Sequence, residues 1–427
     1  MHTTARDPAG PGARPATAAV PTPKELLERA HELAPSIIAV RRRIHRQPEQ
    51  GLQLPKTQAT IVEELGRMGL EPRLGRGLSS VTAVIGADRP GKWTVLRGDM
   101  DALPLREDTG LEFASEVEHT MHACGHDTHV AMLLGGARLL ADLARTTPDA
   151  LPGPVLLMFQ PGEEGYAGAR VMLEEGLLDG AAGTPALTPA NARALAIHIG
   201  TEYATGEVIT RRGAIQASAD NLFITVHGRG GHASAPHHAK DPIPVAAEII
   251  LALETAITRE IDAFDPAVLT VAHIRAGTTH NIIPEVAHLE GTFRCVSKAT
   301  REALPGLIER VATNVAAAHD TTADVEIRPV YPVTVNDRVV AEVALDLAAE
   351  LVGKDGAIWR RDPIMGAEDW SYVLERLPGA MIFLGARPPD KPLAGYPMNH
   401  SNLVVFDEDA LPIGSALYAA FALAPQD

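Results

Sequence analysis

The stretch Asn221-Leu-Phe-Ile-Thr-Val-His227 reads as a strand, and it opens a series that fixes the fold of the middle of the chain. Asp241 to Ile261 reads as a helix, Ala267 to Arg275 and Ala287 to Val296 as two strands, Ala299 to His319 as a second helix and Asp324 to Val330 as a last strand. The order βαββαβ is the signature of a ferredoxin-like plait. Outside this block the pattern changes. Short β-branched runs end in polar loops: Thr94 to Leu96 before Arg97-Gly-Asp-Met-Asp101, Val155 to Phe159 before Gln160-Pro-Gly-Glu-Glu164, Ala194 to Ile197 before His198, and Met381 to Leu384 before Gly385. Helical patterns lie between them, notably Val130 to Arg145 and Ala167 to Leu177. These outer parts read as an α/β layer structure, in which ligands gather at the carboxyl ends of strands. Pro332 to Asn336 leads back into helix and strand. The expected organisation is therefore an α/β domain built from residues 24–215 and 331–427, interrupted by a plait over 216–330.

A chain of 427 residues exceeds the size at which one hydrophobic core stops growing, which agrees with two domains. An excess of 54 Asp and Glu over 38 Lys and Arg gives a formal charge of -16. That charge repels phosphate backbones and anionic lipid, so neither nucleic acid nor a membrane surface is an expected partner. The most apolar runs, Val130 to Leu143 and Ala410 to Ala424, are too short or too interrupted to span a bilayer. Residues 1–23 are rich in Ala, Pro, Thr and Gly without an apolar signal-peptide core, and read as a disordered tail. From Lys24 to Arg46 apolar positions recur at helical spacing, with an interruption expected near Pro35. Cys124 and Cys295 are the only cysteines, too few for a disulfide framework, and the expected location is the cytoplasm.

The densest chemistry lies in Met121-His-Ala-Cys-Gly-His-Asp-Thr-His129, where three imidazoles, a thiol and a carboxylate fall within eight consecutive positions. Cys124 and His126 can point the same way from a looped backbone, and Gly125 lets the chain bend close to an ion. Thiolate and imidazole suit zinc or related divalent ions. Two other readings stay open: a polar turn ahead of a helix, and a thiol nucleophile with His122 or His126 as its base. The adjacent carboxylates Glu163 and Glu164 repel each other in an ordinary turn, but beside a cation one can ligate while its neighbour moves a proton. They are equally compatible with a solvated helix start.

His198 ends a predicted strand and His400 lies in Met-Asn-His-Ser, both candidates only if a metal site draws ligands from several strand ends. Asp99 and Asp101 alternate after a strand and are candidates to orient such ligands. In the plait, Gly228-Arg-Gly-Gly-His-Ala-Ser-Ala-Pro236 places His232 on a bending backbone, where it could donate a hydrogen bond to an oxyanion or sit in a strand bulge. Asn281 and Arg294 could fix a substrate carboxylate, Arg294 through a bidentate pair.

Seven motifs taken together resemble the aminoacylase and carboxypeptidase superfamily, nearest its amidohydrolase branch of hippurate and indole-acetyl-amino-acid hydrolases. They are His45-Arg-Gln-Pro-Glu49, Arg97 to Pro104, His122 to Asp127, Gln160 to Glu164, Gly228 to Ser234, Asn281 to Pro284 and Asn399 to Ser401, and they run in order through nearly the whole chain. The resemblance implies an α/β metallohydrolase domain interrupted by a lid and dimerisation plait. It implies metal ligation by Cys124, His126, Glu164, His198 and His400 in a two-ion site, with zinc or manganese, or cobalt or nickel, as the ions. It makes Glu163 the general base and His232 a lid histidine that reaches a neighbouring subunit's site in a homodimer or higher homo-oligomer. The implied substrate is a small N-acyl amino acid whose amide is cleaved by water. A dipeptidase or carboxypeptidase of the same superfamily, or a silent acyl-amino-acid-binding protein, are the alternatives. Gly162 departs from the pattern, since similar proteins more often carry Ala there, which should affect loop stiffness rather than chemistry.

Overall fold

The computed structural model describes residues 20–180 and 185–426. The expected tail lies outside the described residues up to position 19, and its last residue, Pro23, opens the first helix, α1 (Pro23–Arg46). Thr22 caps α1: its hydroxyl accepts from the Glu25 N–H while the Glu25 carboxylate accepts from the Thr22 N–H. The helix continues through Pro35 without the expected interruption. Its buried face, with Leu26, Ala30, Ile37 and Ile44, packs into the main core, and that burial outweighs the hydrogen bond that proline removes.

The first part of the chain continues with α2 (Pro55–Arg67), β1 (Arg73–Leu74), β2 (Val81–Ile85), β3 (Trp93–Asp99), α3 (His126–Thr146), β4 (Val155–Gln160), α4 (Gly168–Glu174), β5 (Ala192–Ala204), β6 (Val208–Thr210) and β7 (Gly213–Gln216). The middle contains β8 (Ala219–His227), β9 (Gly231–His232), α5 (Pro242–Glu260), β10 (Ala267–Ala276), β11 (Ile282–Ile283), β12 (Val286–Cys295), α6 (Lys298–Ala318) and β13 (Thr322–Tyr331). The last part contributes β14 (Thr334–Asn336), α7 (Arg338–Val352), β15 (Ala357–Trp359), α8 (Ser371–Leu374), β16 (Gly379–Arg387) and α9 (Ala410–Leu423).

An eight-stranded sheet in the order β1-β2-β4-β3-β5-β16-β6-β15 draws strands from both ends of the chain. Its four central strands, β4, β3, β5 and β16, run parallel. They are apolar on both faces, as buried parallel strands must be. Leu96, Leu157, Leu195 and Ile197 pack in one core with α1, α3, α7 and α9, while Val95, Leu156, Met158 and Ala196 pack in a second core with α4 and α8. Helix α9 is buried along its whole length, which accounts for its all-round apolar sequence. Among the described residues no helix is long and apolar enough to cross a membrane.

The middle segment forms a separate four-stranded antiparallel sheet in the order β10-β12-β8-β13. Leu222, Ile224 and Val226 of β8 pack with Val245, Ile249 and Leu253 of α5 and Leu304, Ile308 and Ala312 of α6 in a third core drawn only from this segment. Asp241 caps α5 through Ile243 N, and Ser297 caps α6 through Thr300 N. The parallel strands of the large sheet place the loops after β3 and β4 side by side at one end.

Candidate functional site

The loops at that end meet around one sulfur. Cys124 precedes Gly125, whose φ of 87° opens α3 at His126. A β-carbon on Gly125 would lie 2.5 Å from Ile199 Cγ2, so glycine is required there both by its backbone and by its neighbour on β5. Cys124 Sγ lies 3.5 Å from His198 Nε2 and 3.3 Å from His400 Nε2. His198 Nδ1 donates to the Ile199 carbonyl at 2.7 Å, which leaves the Nε2 lone pair facing the sulfur. His400 has a positive φ of 69°, and its N–H donates to Ala123 O. Asn399 fixes this corner: its amide donates to Cys124 O and Ile199 O and accepts from Thr201 N.

Two triads of potential ligand atoms share the sulfur, Cys124 with His126 and His198, and Cys124 with Glu164 and His400; within each triad the atoms lie within 4.8 Å of one another. Both His126 ring nitrogens and Glu164 Oε1 are buried without a hydrogen-bond partner. A third grouping, Asp99 with His126 and His129, differs in kind. His129 Nε2 accepts from Ile199 N at 2.7 Å and its Nδ1 bonds Asp99 Oδ1 at 2.5 Å, so neither nitrogen is free to ligate.

The two aspartates hold the site from behind. Asp101 accepts the Glu163 N–H at 2.9 Å on one oxygen and the Glu164 N–H at 3.0 Å on the other, and lies 3.5 Å from His126 Nδ1. Asp99 lies 2.7 Å from Arg97 Nη1 and 3.3 Å from His126 Nε2. Burial opposes its charge, but Arg97, His126 and His129 together hold it well below the usual carboxylate range. Burial and Glu164 push the Cys124 thiol up, yet His198 and His126 outweigh them and leave it at about 6. Burial, then Glu368, Glu164 and Asp369, push the Glu163 carboxyl well above its ordinary value. The Tyr331 hydroxyl donates to the Glu163 carbonyl and accepts from Gly165 N and Ala167 N, which pins the loop. Within that loop Gly162 has a φ of 73°, and a β-carbon there would meet Leu52 Cδ2 at 2.5 Å.

A cleft of about 690 Å³ opens beside these residues, lined by Cys124, Glu163, Glu164, His198 and His400 and, from the second sheet, by Asn221, Thr292 and Arg294. Arg294 Nη1 donates to Met365 O at 2.9 Å. His198, expected at a strand end, lies inside β5. That strand runs on to Ala204 because β16 pairs alongside, Phe383 against His198 and Gly385 against Gly200. His232 and Asn281 sit together but outside this cleft: Ile282 pairs with His232, and Ala233 N donates to Asn281 O. His232 Nδ1 accepts from Ser234 N, which puts the ring proton on Nε2.

The sequence reading passed over a second carboxylate pair, Glu368-Asp369. Both are buried, and one atom of each lies within 4.8 Å of Glu163. Arg97 Nη2 bonds Glu368 at 2.8 Å and Asp369 at 3.1 Å, and its Nε donates to Gln160 at 3.0 Å. The signal was an adjacent acidic pair of the same kind as Glu163-Glu164, but lying before a short helix rather than after a buried apolar strand.

Mixed S, N and O donors gathered at the carboxyl ends of central parallel strands define an α/β metallohydrolase architecture. Comparison with known proteins narrows the class. Residues 95–424 match the model of peptidase family M20/M25/M40. A thermostable carboxypeptidase of Saccharolobus solfataricus is 38% identical over 94% of this chain and 98% of its own, and an N-acetylcysteine deacetylase of Bacillus subtilis is 34% identical over 91% and 96%. A crystal structure of a dinuclear metal binding peptidase from B. subtilis superimposes with a TM-score of 0.77 at 31% identity, covering 92% of this chain and 98% of that one. The chain belongs to peptidase family M20/M25/M40, on its amidohydrolase branch, and is a hydrolase acting on amide bonds.

Proposed function

We propose that the protein hydrolyses the amide of N-acyl amino acids with two divalent ions, which two ligand triads with Cys124 in common would hold. The observation that carries this reading is the single sulfur common to two ligand triads. Cys124, His126 and His198 would hold one ion, and Cys124, Glu164 and His400 the other. The unpartnered nitrogens of His126 and the unpartnered Glu164 Oε1 fit that assignment, since buried polar atoms otherwise find partners. The mixed donor set is compatible with zinc or manganese, and with cobalt or nickel. Ions bound there would polarise the amide carbonyl and lower the pKa of water.

The chain's own residues supply the rest. Glu163 takes a proton from the attacking water and delivers it to the leaving amine. Asp101 orients both glutamates through their backbone N–H groups, and Asp99 orients His126. Arg294 uses one donor on Met365 O and keeps others for the substrate carboxylate, with Asn281 as a further polar contact. His232 donates its Nε2–H to the developing oxyanion.

His232 and Asn281 lie outside their own chain's cleft, and we assign them to the cleft of a second copy. Residues 216–330 are then a lid and dimerisation domain inserted between the halves of a catalytic domain, 24–215 and 331–427, of a cytoplasmic homodimer or higher homo-oligomer. The test is a hydrolysis panel of N-acetyl, N-benzoyl and longer N-acyl amino acids with each metal added in turn, beside a set of dipeptides. Turnover of the acyl amino acids with metal is expected. Turnover confined to dipeptides would move the enzyme to a peptidase role, and turnover after complete metal removal would overturn the two-ion site.

A further inference from the structure

The reaction changes the charge on nitrogen. An amide R–CO–NH–R′ and water give R–COO⁻ and R′–NH₃⁺, with the C–N bond broken, the water oxygen on carbon and both water protons on nitrogen. A group that stabilises the product ammonium without binding the neutral amide favours the step over the ground state. Glu163 carries protons and cannot hold a fixed negative charge throughout.

We propose that Glu368 is a further catalytic residue, which together with Glu163 receives the leaving amine as an ammonium. Glu368 lines the same cleft as Glu163, and one oxygen of each lies within 4.8 Å of the other. Two N–H···O bonds of ~2.8 Å from one tetrahedral nitrogen place their acceptors about 4.6 Å apart, so one ammonium bridges such a pair. Asp369, the third carboxylate of the cluster, is excluded from this role. Its oxygens already accept from Gln160 Nε2 and from Ala169 N, and it does not line the cleft.

The alternative task for Glu368 is to neutralise buried Arg97. Arg97 contacts Asp99 and Asp369 as well, so three carboxylates meet one guanidinium, and buried carboxylates in excess of their cations are costly unless a further cation joins them during function. The hydrogen bonds its side chain accepts, from Arg97 and from Trp370 N, fall on Oε1. They fix the group while Oε2 remains for a ligand. The same cleft carries Arg294, so an amino acid product would direct its carboxylate toward Arg294 and its ammonium toward Glu368.

This inference rests on the acyl-amino-acid reading, and the experiment separates the two. Glu368→Gln in the full-length, metal-loaded enzyme is expected to lower kcat about 10- to 100-fold with KM for an N-acetyl amino acid within about twofold, the size of one charge-assisted bond made late in the reaction. Inhibition by the free amino acid should weaken about tenfold or more. Inhibition by the desamino acid, with the same side chain and carboxylate but no amine, should not change. Equal weakening toward both inhibitors, or none toward the amino acid, overturns the proposal, because a merely structural role would not distinguish them. If Glu368→Gln fails to fold, Glu368→Asp decides, since it keeps the charge and must keep the preference for the free amino acid over the desamino acid. A wild-type enzyme that hydrolyses no acyl amino acid fails the functional reading itself and takes this inference with it.

Discussion

The residues singled out on the large sheet and those singled out on the small one behave differently. Cys124, His126, Glu163, Glu164, His198 and His400 come from four separate stretches of chain and converge on one site, and all but the fully buried His126 line one cleft. His232 and Asn281 come from the middle segment, at the two-stranded pairing of β9 with β11, and meet each other, but not that cleft. The first group is held by buried acceptors at the end of β3 and in the loop just after it, chiefly Asp99 and Asp101. In the second, His232 lies exposed on a two-residue strand beside a glycine-rich loop and Asn281 lies exposed in the turn before β11. The difference teaches that one half of the proposed machinery is preorganised within a chain, whereas the other is built to be presented to something else.

The largest effects should follow from breaking the preorganised half. Cys124→Ala removes the atom common to both triads, and we expect loss of bound metal and of activity to background, read by elemental analysis beside a turnover assay. Metal retained at full stoichiometry would move the shared position to another side chain, and retained activity would overturn the two-ion reading. Glu163→Gln leaves every proposed ligand in place. We expect kcat to fall about 10²- to 10⁴-fold with substrate binding kept, the usual contribution of a positioned general base. Unchanged turnover would remove Glu163 from the mechanism.

The first half was also the one legible in the sequence, for a physical reason. Ligand chemistry needs particular residue types, so thiol, imidazole and paired carboxylates stand out against composition even before any geometry is known. The βαββαβ order was readable because strand and helix periods alternate cleanly from Asn221 to Val330. What the sequence did not yield depended on contacts between distant segments. Glu368 and Arg97 lie far apart in the chain, and only the fold places a guanidinium against that carboxylate. The continuation of α1 through Pro35 and of β5 past His198 had the same cause, since neighbouring elements override a local stop signal. The role of Asn399, which ties Cys124, Ile199 and Thr201 together, left no signal beyond its place beside His400.

A smaller effect is expected at His232, and it tests the contrast between the halves directly. His232→Ala should lower kcat about 10²- to 10³-fold, the range for one oxyanion donor, while leaving bound metal unchanged. If the histidine serves a second copy's cleft, mixing inactive Glu163→Gln and His232→Ala chains under conditions that exchange subunits restores activity. Each mixed dimer then pairs one intact Glu163 with one intact His232 in a single cleft. No recovery, despite subunit exchange verified by a mass tag, would place His232 in its own chain's reaction or outside the chemistry.

The smallest effect asks how rigid the preorganised half is. Gly162 adopts a positive φ beside Glu163, and its α-carbon faces Leu52 so closely that an added methyl would lie 2.5 Å from Leu52 Cδ2. Gly162→Ala therefore combines left-handed backbone strain with a displaced leucine, at a cost of about 1 to 3 kcal/mol. Because the clash is with the end of a flexible side chain, the loop can keep its anchors, Asp101 on the glutamate N–H groups and the Tyr331 hydroxyl on the Glu163 carbonyl. We expect Tm to fall by on the order of a few °C, with kcat within about threefold of wild type because the catalytic carboxylate is positioned by those anchors and not by Gly162. A large loss of kcat without loss of Tm would show the opposite: the glycine itself sets where Glu163 stands, and the half of the site that looks fixed depends on one backbone torsion.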